Sequence, residues 1–458
     1  MWTNGNTIRL AIRGSFFIEL NLFRNRKIFL VILTIAQVNI KGDKQLGEKI
    51  KNVHLPIKIV SIVTALSLVG DSMLYITLPI FWKEAGLSSL WQVGFLLSIN
   101  RFVRLPANPF IGWLYNKISL KSGLIFAIII GSISTLGYGV VKGFLGWIIL
   151  RSLWGIAWSF FRIGGLAVVV QYSNDHNRGK AMGLYNGLYR TGSLVGMLIG
   201  GILAPILGLH VVSIIFGIFS FIGLPLIYKY LQTKSLEAQK KQHKINIRSS
   251  YQSKPYIAIL VISSFFITMF IQGIFTSTLS SLIEHHYGKS IQLAGIIISV
   301  TALSGVLQSI RWVWEPFLGS RIGEWSDGPK GRKPLFIGSL LLAAVSYGFL
   351  SIQISITSWI FITLIFMVSA TGITTLIDAL AGDIAKSSNA VSFLTLYSVV
   401  QDIGAALGPF IGYFFIGFKF GFLYLYFGVA SIFLFLALIW FFLQSKQKVS
   451  FKTETLEQ

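Results

Sequence analysis

Apolar residues run along this chain in stretches too long and too continuous for one face of a soluble fold. About 20 apolar residues cross a bilayer as a helix. Twelve such stretches are expected, at 56–82, 90–114, 123–142, 144–171, 181–207 and 209–231, then 255–283, 291–319, 334–352, 356–384, 391–416 and 419–443. Polar connections separate them. Those after even-numbered spans hold Lys117 and Lys121, Arg178 and Lys180, a long central linker, then Arg321, Lys330, Arg332, Lys333 and Lys386. Those after odd-numbered spans carry little beyond Lys83, Lys142, Lys289 and Lys419. Basic loops stay on the cytoplasmic side, so both termini are expected there, in a multi-pass protein of the cell membrane. The predicted fold is all-α and integral to the membrane, with 12 transmembrane helices in two six-helix bundles, 51–232 and 255–443. A basic linker, 233–254, joins them, and a cytoplasmic tail, 444–458, follows.

Residues 1–50 fit this pattern poorly. The apolar run from Lys27 to Ala36 gives way to Asn39 and Lys41, too short to span. An interfacial amphipathic stretch is the first reading, a signal-like segment the second, and a start assigned too far upstream the third.

Composition agrees with the lipid setting. Only 12% of residues are charged against 54% hydrophobic, where a soluble domain carries about 25% charged. The net charge of +23 would suggest nucleic acid in a soluble chain. Here the basic residues cluster between spans, as from Lys229 to Lys254, facing anionic lipid instead. No cysteine is present, and the six histidines show no metal-ligand spacing. No metal or other cofactor is expected. No phosphate-binding loop of the Gly-x-x-x-x-Gly-Lys-Ser/Thr type occurs, and no nucleophile–base pair stands out. ATP-driven pumping and enzyme chemistry are therefore unsupported.

A frame of residues occurs twice, 212 positions apart. Tyr185, Gly192, Gly196 and Gly200 return as Tyr397, Gly404, Gly408 and Gly412, while Arg190 is answered by Asp402. Glycine every fourth residue allows helices to approach closely. Duplicated halves are a mark of secondary transporters. The loops repeat as well: Arg104, Pro109 and Gly112 in one half correspond to Arg311, Pro316 and Gly319 in the other.

The loop from Gly112 through Asn116 and Lys117 to Lys121, and the loop from Gly323 through Asp327 to Gly331, Arg332 and Lys333, resemble the loop signature of the major facilitator superfamily. Arg151 with Gly155, and Arg178 through Gly183, are similar to further elements of that family. The glycines of span 5 look like its antiporter motif, though Met197 stands where that motif has proline, and the proline occurs at Pro409 instead. The resemblance covers residues 55–443 and implies alternating access around a central cavity. It also implies a latch role for the loop acid, which Asn116 replaces in the first copy. An amide there accepts hydrogen bonds and cannot anchor an arginine as an ion.

Ionisable groups within a membrane are costly and normally face a partner or a wet cavity. The first half's spans hold Asp71, Arg101, Arg104, Arg151, Arg162 and Arg190; the second half's hold Arg311, Glu315, Asp378 and Asp402, with Asp383 nearer an end. Asp71 is either a proton-coupling carboxylate, exchanging an apolar cavity for an arginine partner, or half of a fixed pair with Arg101 or Arg151. Arg151 belongs with the proton-related or structural machinery. Arg101 and Arg162, with Arg104, either line an anion site or pair with acids. Trp158 and Asp378 are further substrate-site candidates, Trp158 otherwise being an ordinary packed face. Arg190 and Asp402, on symmetry-related spans, need not touch; the resemblance implies that each packs near helices of the opposite half, where either charge could switch partners as the halves rock. Glu315 pairs with Arg311 one turn earlier or is a second protonatable site.

The sequence therefore points to a secondary transporter of a small organic solute, with proton-coupled efflux first and proton-linked uptake of an organic anion second. A non-transporting membrane scaffold or sensor is the alternative from another class. The expected partners are the solute, protons and lipid, with no nucleic acid, and the expected state is a monomer.

Overall fold

The computed structural model describes residues 8–12, 16–20, 47–173, 178–231, 254–293, 295–328, 331–387 and 390–454. The apolar run at 27–36, almost all of the basic linker and the end of the tail lie outside them.

Residues up to His54 form a unit of their own. Its described part is an antiparallel hairpin, β1 (Ile8–Ile12) on β2 (Phe16–Leu20), with Ile8 opposite Leu20 and Ile12 opposite Phe16, together with the start of the first helix at Gly47. The interfacial stretch expected at 27–36 lies outside the described residues. Alternating apolar side chains with β-branched isoleucines suit a strand.

The rest is a helical unit. It comprises α1 (Gly47–Thr77), α2 (Leu90–Tyr115), α3 (Leu120–Tyr138), α4 (Phe144–Gln171), α5 (Arg178–Ser220) and α6 (Gly223–Tyr230). After the linker come α7 (Lys254–Thr268), a π segment (Met269–Phe275) and α8 (Thr276–Tyr287) in one continuous run. A hairpin of β3 (Ser290–Leu293) and β4 (Ile296–Ser299) then leads into α9 (Val300–Ser326). Last come α10 (Arg332–Leu350), α11 (Ile356–Ser387), α12 (Ala390–Ile416) and α13 (Gly421–Glu454).

Among the described residues, nine helical stretches are long and apolar enough to cross a membrane. Three of the twelve expected spans explain the difference. Spans 5 and 6 form one stretch, Ala181–Tyr230, interrupted at Gly208, where φ is 82°. The second run restarts on a cap, since Glu84 Oε1 accepts from Leu209 N at 3.0 Å and a carboxylate satisfies a free helix-start amide. Helices α2 and α9 fall short in hydropathy because each carries buried or half-buried charge, Arg101 and Arg104 in one, Arg311 and Glu315 in the other. The span expected at 291–319 also starts later than its apolar run. Gly295, whose φ is 80°, interrupts the run before three isoleucines, so this stretch turns back as a hairpin with Ile291 opposite Ile298, and the helix begins at Val300. Ser299 caps it, accepting from Ala302 N at 3.2 Å.

Exposure is inverted relative to a soluble protein. Ile133, Leu145, Phe219, Val345, Phe361, Phe435 and Phe442 are each about half exposed or more on helix surfaces. Ser61, Thr64, Asn100, Arg151 and Thr363 are fully buried. An apolar exterior over satisfied helical backbone is what lipid requires. The chain is a multi-pass membrane protein.

The halves pack by the same device. A side chain at Gly192, Gly196 or Gly200 of α5 would overlap Ala65, Val69 or Met73 of α1. On α12, Gly404 lies on Phe265, Gly408 on Met269 and Gly273, and Gly412 on Thr278. These glycines pack within each half.

Candidate functional site

Two seams join the halves. In the first, Gly201 of α5 rests on Thr301 of α9 and Gly305 on Met197, with Thr301 Oγ1 donating to Gly201 O at 2.8 Å and Ser309 Oγ to Leu194 O at 3.2 Å. In the second, Gly94 of α2 rests on Pro409 and Tyr413 of α12, and Phe410 N donates to Ser98 Oγ at 3.1 Å. All these contacts lie toward the end bearing the 78–89 and 417–420 connections. Toward the other end, where the basic loops lie, α5 and α9 part around a cavity lined by Gly183, Gly187 and Gly319 among others. Between the halves a cleft opens on that side of the contacts.

The first half buries an ion pair. Asp71 of α1 and Arg151 of α4 bond through Oδ1 and Nη1, with side-chain exposures of 5% and 0%. Asn100 Nδ2 donates to the same carboxylate oxygen at 3.3 Å, and Arg151 Nε donates to Leu96 O at 2.9 Å. Helix α4 can come this near because Gly155 lies directly on the Asn100 carbonyl. Of the two arginines considered for Asp71, the structure selects Arg151. Arg101 Nε donates instead to Tyr75 Oη at 3.3 Å.

Three guanidinium groups of the first half have no carboxylate within ion-pair distance among the described residues. Arg101 has Tyr75. Arg104 lies 5.1 Å over Trp158 and 5.7 Å over Trp154, and its Nε is buried without a hydrogen-bond partner. Arg162 donates to Asn186 Oδ1 and Tyr189 Oη, each at 3.3 Å. The indoles of Trp154 and Trp158 stack at 5.8 Å, with Tyr189 edge-on to Trp158. The cations thus rest on aromatic faces, worth up to about 2 kcal/mol each when desolvated.

The second half answers with carboxylates. Asp378 accepts from Tyr397 Oη at 2.7 Å and Gln401 Nε2 at 3.2 Å. Asp402 is exposed, has no ion pair among the described residues and stands within electrostatic reach of Arg101 and Arg104. Glu315 bridges two arginines, Arg190 at 3.5 Å and Arg311 at 3.9 Å. Arg190 thus finds Glu315 across the seam, and Asp402 is not its partner. Below this pair is a cavity of about 370 Å³, lined by Asn186, Arg190, Trp312, Glu315, Ser320 and Thr375 among others.

The loop motifs stand apart from the cleft centre. In the second copy Arg332 binds Asp327 at 2.9 Å and Asp383 at 2.8 Å, all within one half. In the first copy Asn116 caps the end of α2 through backbone bonds and is exposed. Sequence patterns did not single out Asn100, Tyr75, Tyr189 or Asn186. Asn100 had one signal, an amide inside an apolar span beside Arg101.

Helices crossing the membrane, two related halves and a polar cleft between them define a membrane transport protein. The sequence pattern of the Major Facilitator Superfamily matches residues 60–328 and 316–457, and the chain belongs to that family. Multidrug resistance protein MdtG of Salmonella choleraesuis (strain SC-B67) is 26% identical over 348 residues, 73% of this chain and 82% of that one. MdtG of Salmonella newport (strain SL254) is equally similar. Among solved structures, a bacterial homolog of the human lysosomal transporter Spinster, inward-facing and unoccupied, superposes with a TM-score of 0.70 at 15% identity. The match covers 88% of this chain and 98% of that one. A POT family transporter in complex with 5-aminolevulinic acid reaches 0.67 at 11% identity, over 86% and 96%. At such identities these two structures bear on the fold alone.

Proposed function

We propose that this chain is a secondary active transporter that moves a small organic solute by alternating access, exporting it in exchange for protons. It would work as a monomer in the cell membrane, with both termini cytoplasmic and each half counting as six spans. The observation that carries the reading is the buried Asp71–Arg151 pair in a chain whose halves part on one side of their contacts. Protonating Asp71 leaves the Arg151 charge buried without its counter-ion, a state costing several kcal/mol. Proton uptake therefore favours any rearrangement that hydrates Arg151 or gives it a new partner. That links a proton to the conformational cycle. Export is supported by the name of the MdtG relatives, which are multidrug resistance proteins.

The test is flux of organic solutes into proteoliposomes under an imposed pH gradient. Asp71→Asn is expected to abolish gradient-driven flux while solute binding persists; normal gradient-driven flux in that variant sinks the coupling role. Proton-linked movement of an organic anion is the second reading, favoured by the three guanidinium groups without carboxylates. Arg162→Ala is then expected to weaken binding of an aromatic carboxylate more than of its amine analogue. Equal effects on both would remove that reading.

A further inference from the structure

The two seams between the halves are copies in register. Advancing 212 residues along α5 and stepping back 207 along α9 carries the contact of Gly201 with Thr301 onto that of Tyr413 with Gly94. The same shift carries the contact of Met197 with Gly305 onto Pro409 and Ser98, where Phe410 N meets the Ser98 hydroxyl. The charges can therefore be compared position by position. Arg190 becomes Asp402. Glu315 becomes Asn108, and Arg311, one turn before it, becomes Arg104.

Each seam thus places opposite charges on its two helices, with the polarity exchanged. At the first seam the charges meet, Arg190 with Glu315 at 3.5 Å, at the level where α5 and α9 begin to part above the cavity. At the second they do not. Asp402 has no ion pair among the described residues, Arg104 Nε is buried without a hydrogen-bond partner, and so is Asn108 Oδ1. The guanidinium of Arg104 lies over Trp158 and Trp154 meanwhile.

We propose that Asp402 and Arg104 are the ion pair that closes the basic-loop end of the α2–α12 seam, made in the state opposite to this one and broken here. The inference rests on the alternating-access reading. Register selects Arg104 over its neighbour Arg101. Arg101 is turned into its own half, on Tyr75, and its counterpart Gln308 is turned into its own half in the same way, donating to Thr276 O at 2.8 Å. The indole pair holds the Arg104 charge while the gate is open. Neutralising Asp402 weakens only the closed state, because Asp402 makes no ion pair among the described residues in the open one. Neutralising Arg104 also removes its contacts with Trp158 and Trp154 from the open state, so its net effect is smaller.

The chain has no cysteine, so spin labels can be placed on Phe110→Cys in α2 and Leu396→Cys in α12, both exposed at 59% and 55%. Pulsed electron–electron distance measurement in nanodiscs is expected to show a long and a short population. Asp402→Asn should cut the short population about two- to fivefold, as a partly solvated ion pair implies, and Arg104→Gln should cut it by less. Exchanging the charges, Asp402→Arg with Arg104→Asp, should restore it. Unchanged populations in both neutral variants, or rescue by Arg101→Asp in place of Arg104→Asp, overturns the pair while leaving alternating access standing. A single distance in the parent and in every variant overturns alternating access, and the gate with it. Should the exchanged variant fail to fold, the two neutral variants decide.

Discussion

The two halves share their packing and differ in what they bury. Glycines of α5 press on α1 at Ala65, Val69 and Met73, and glycines of α12 press on α7, the π segment and α8 at the corresponding levels. In the first half that level holds the Asp71–Arg151 pair. In the second, the position 212 residues after Arg151 is Thr363, fully buried and bonded to Trp359 O at 2.9 Å. Beside it, the π segment Met269–Phe275 contains no charged residue. Close helix approach needs only a missing side chain, so it survives divergence of everything around it. A buried carboxylate needs a counter-charge, and Asp71 has Arg151, whereas Arg190 and Glu315 meet at a more open place, with Arg190 48% exposed. Asp378 and Asp402, on α11 and α12, are exposed.

The largest expected effect tests that contrast directly. Asp71→Leu leaves Arg151 buried and unpaired and should cost about 3–5 kcal/mol, lowering the thermal unfolding midpoint in detergent. Adding Arg151→Met should recover most of the loss, because an apolar pair of similar volume is nearly neutral in such a site. Thr363→Val, at the matching level of the second half, should cost only about 1 kcal/mol or less, the net worth of one hydrogen bond. If Asp71→Leu proves as mild as Thr363→Val, the halves do not differ in the way their buried charge suggests.

Where the halves agree, equal effects are expected. Gly196→Leu and Gly408→Leu each force a side chain into backbone, at Val69 and at Gly273 respectively. Each should cost about 1–3 kcal/mol, the usual range for overpacking, and the two should be alike within measurement. Gly112→Leu and Gly323→Leu meet open space in this conformation and should leave unfolding nearly unchanged. A large difference between Gly196→Leu and Gly408→Leu would mean that the shared frame packs with unequal tightness.

Much of this was legible in the sequence, for definite physical reasons. Lipid leaves a strong apolar signal, so the helices and the family could be recognised before any geometry. Helix ends were less legible: the run at 291–299 is mostly apolar, and only Gly295 before three isoleucines distinguishes a hairpin from a helix. The interruption at Gly208 falls where two separate spans were expected, yet the Glu84 cap that restarts the helix comes from a distant connection and leaves no local pattern. The charges could be counted from sequence and could not be paired. Asp71 had two arginines open to it, and the choice was made by Gly155, which lets α4 reach the Asn100 carbonyl. The repeat placed Arg190 and Asp402 at equivalent positions, which need not touch, and it left open the partner that the seam gives Arg190, Glu315.

The smallest effect concerns the loops, where the halves differ most in sequence and least in energy. Arg332 is held by Asp327 and Asp383 in the second half, with Asp327 65% exposed and Asp383 42% exposed. Pairs open to water are worth about 0–1 kcal/mol each and weaken with salt. Arg332→Gln should therefore lower stability by about 1 kcal/mol or less at low ionic strength, with the difference shrinking in about 1 M salt, where screening acts over a few ångströms. Asn116→Asp puts the missing acid back into the first loop, beside Lys117, whose ammonium lies 3.9 Å from the Trp113 ring centroid. No arginine pairs with Asn116 among the described residues, so the restored acid should change unfolding even less than Arg332→Gln does. A gain from Asn116→Asp larger than the loss from Arg332→Gln would show that the first loop has a cationic partner in a conformation other than this one, and that its latch lacks only the acid.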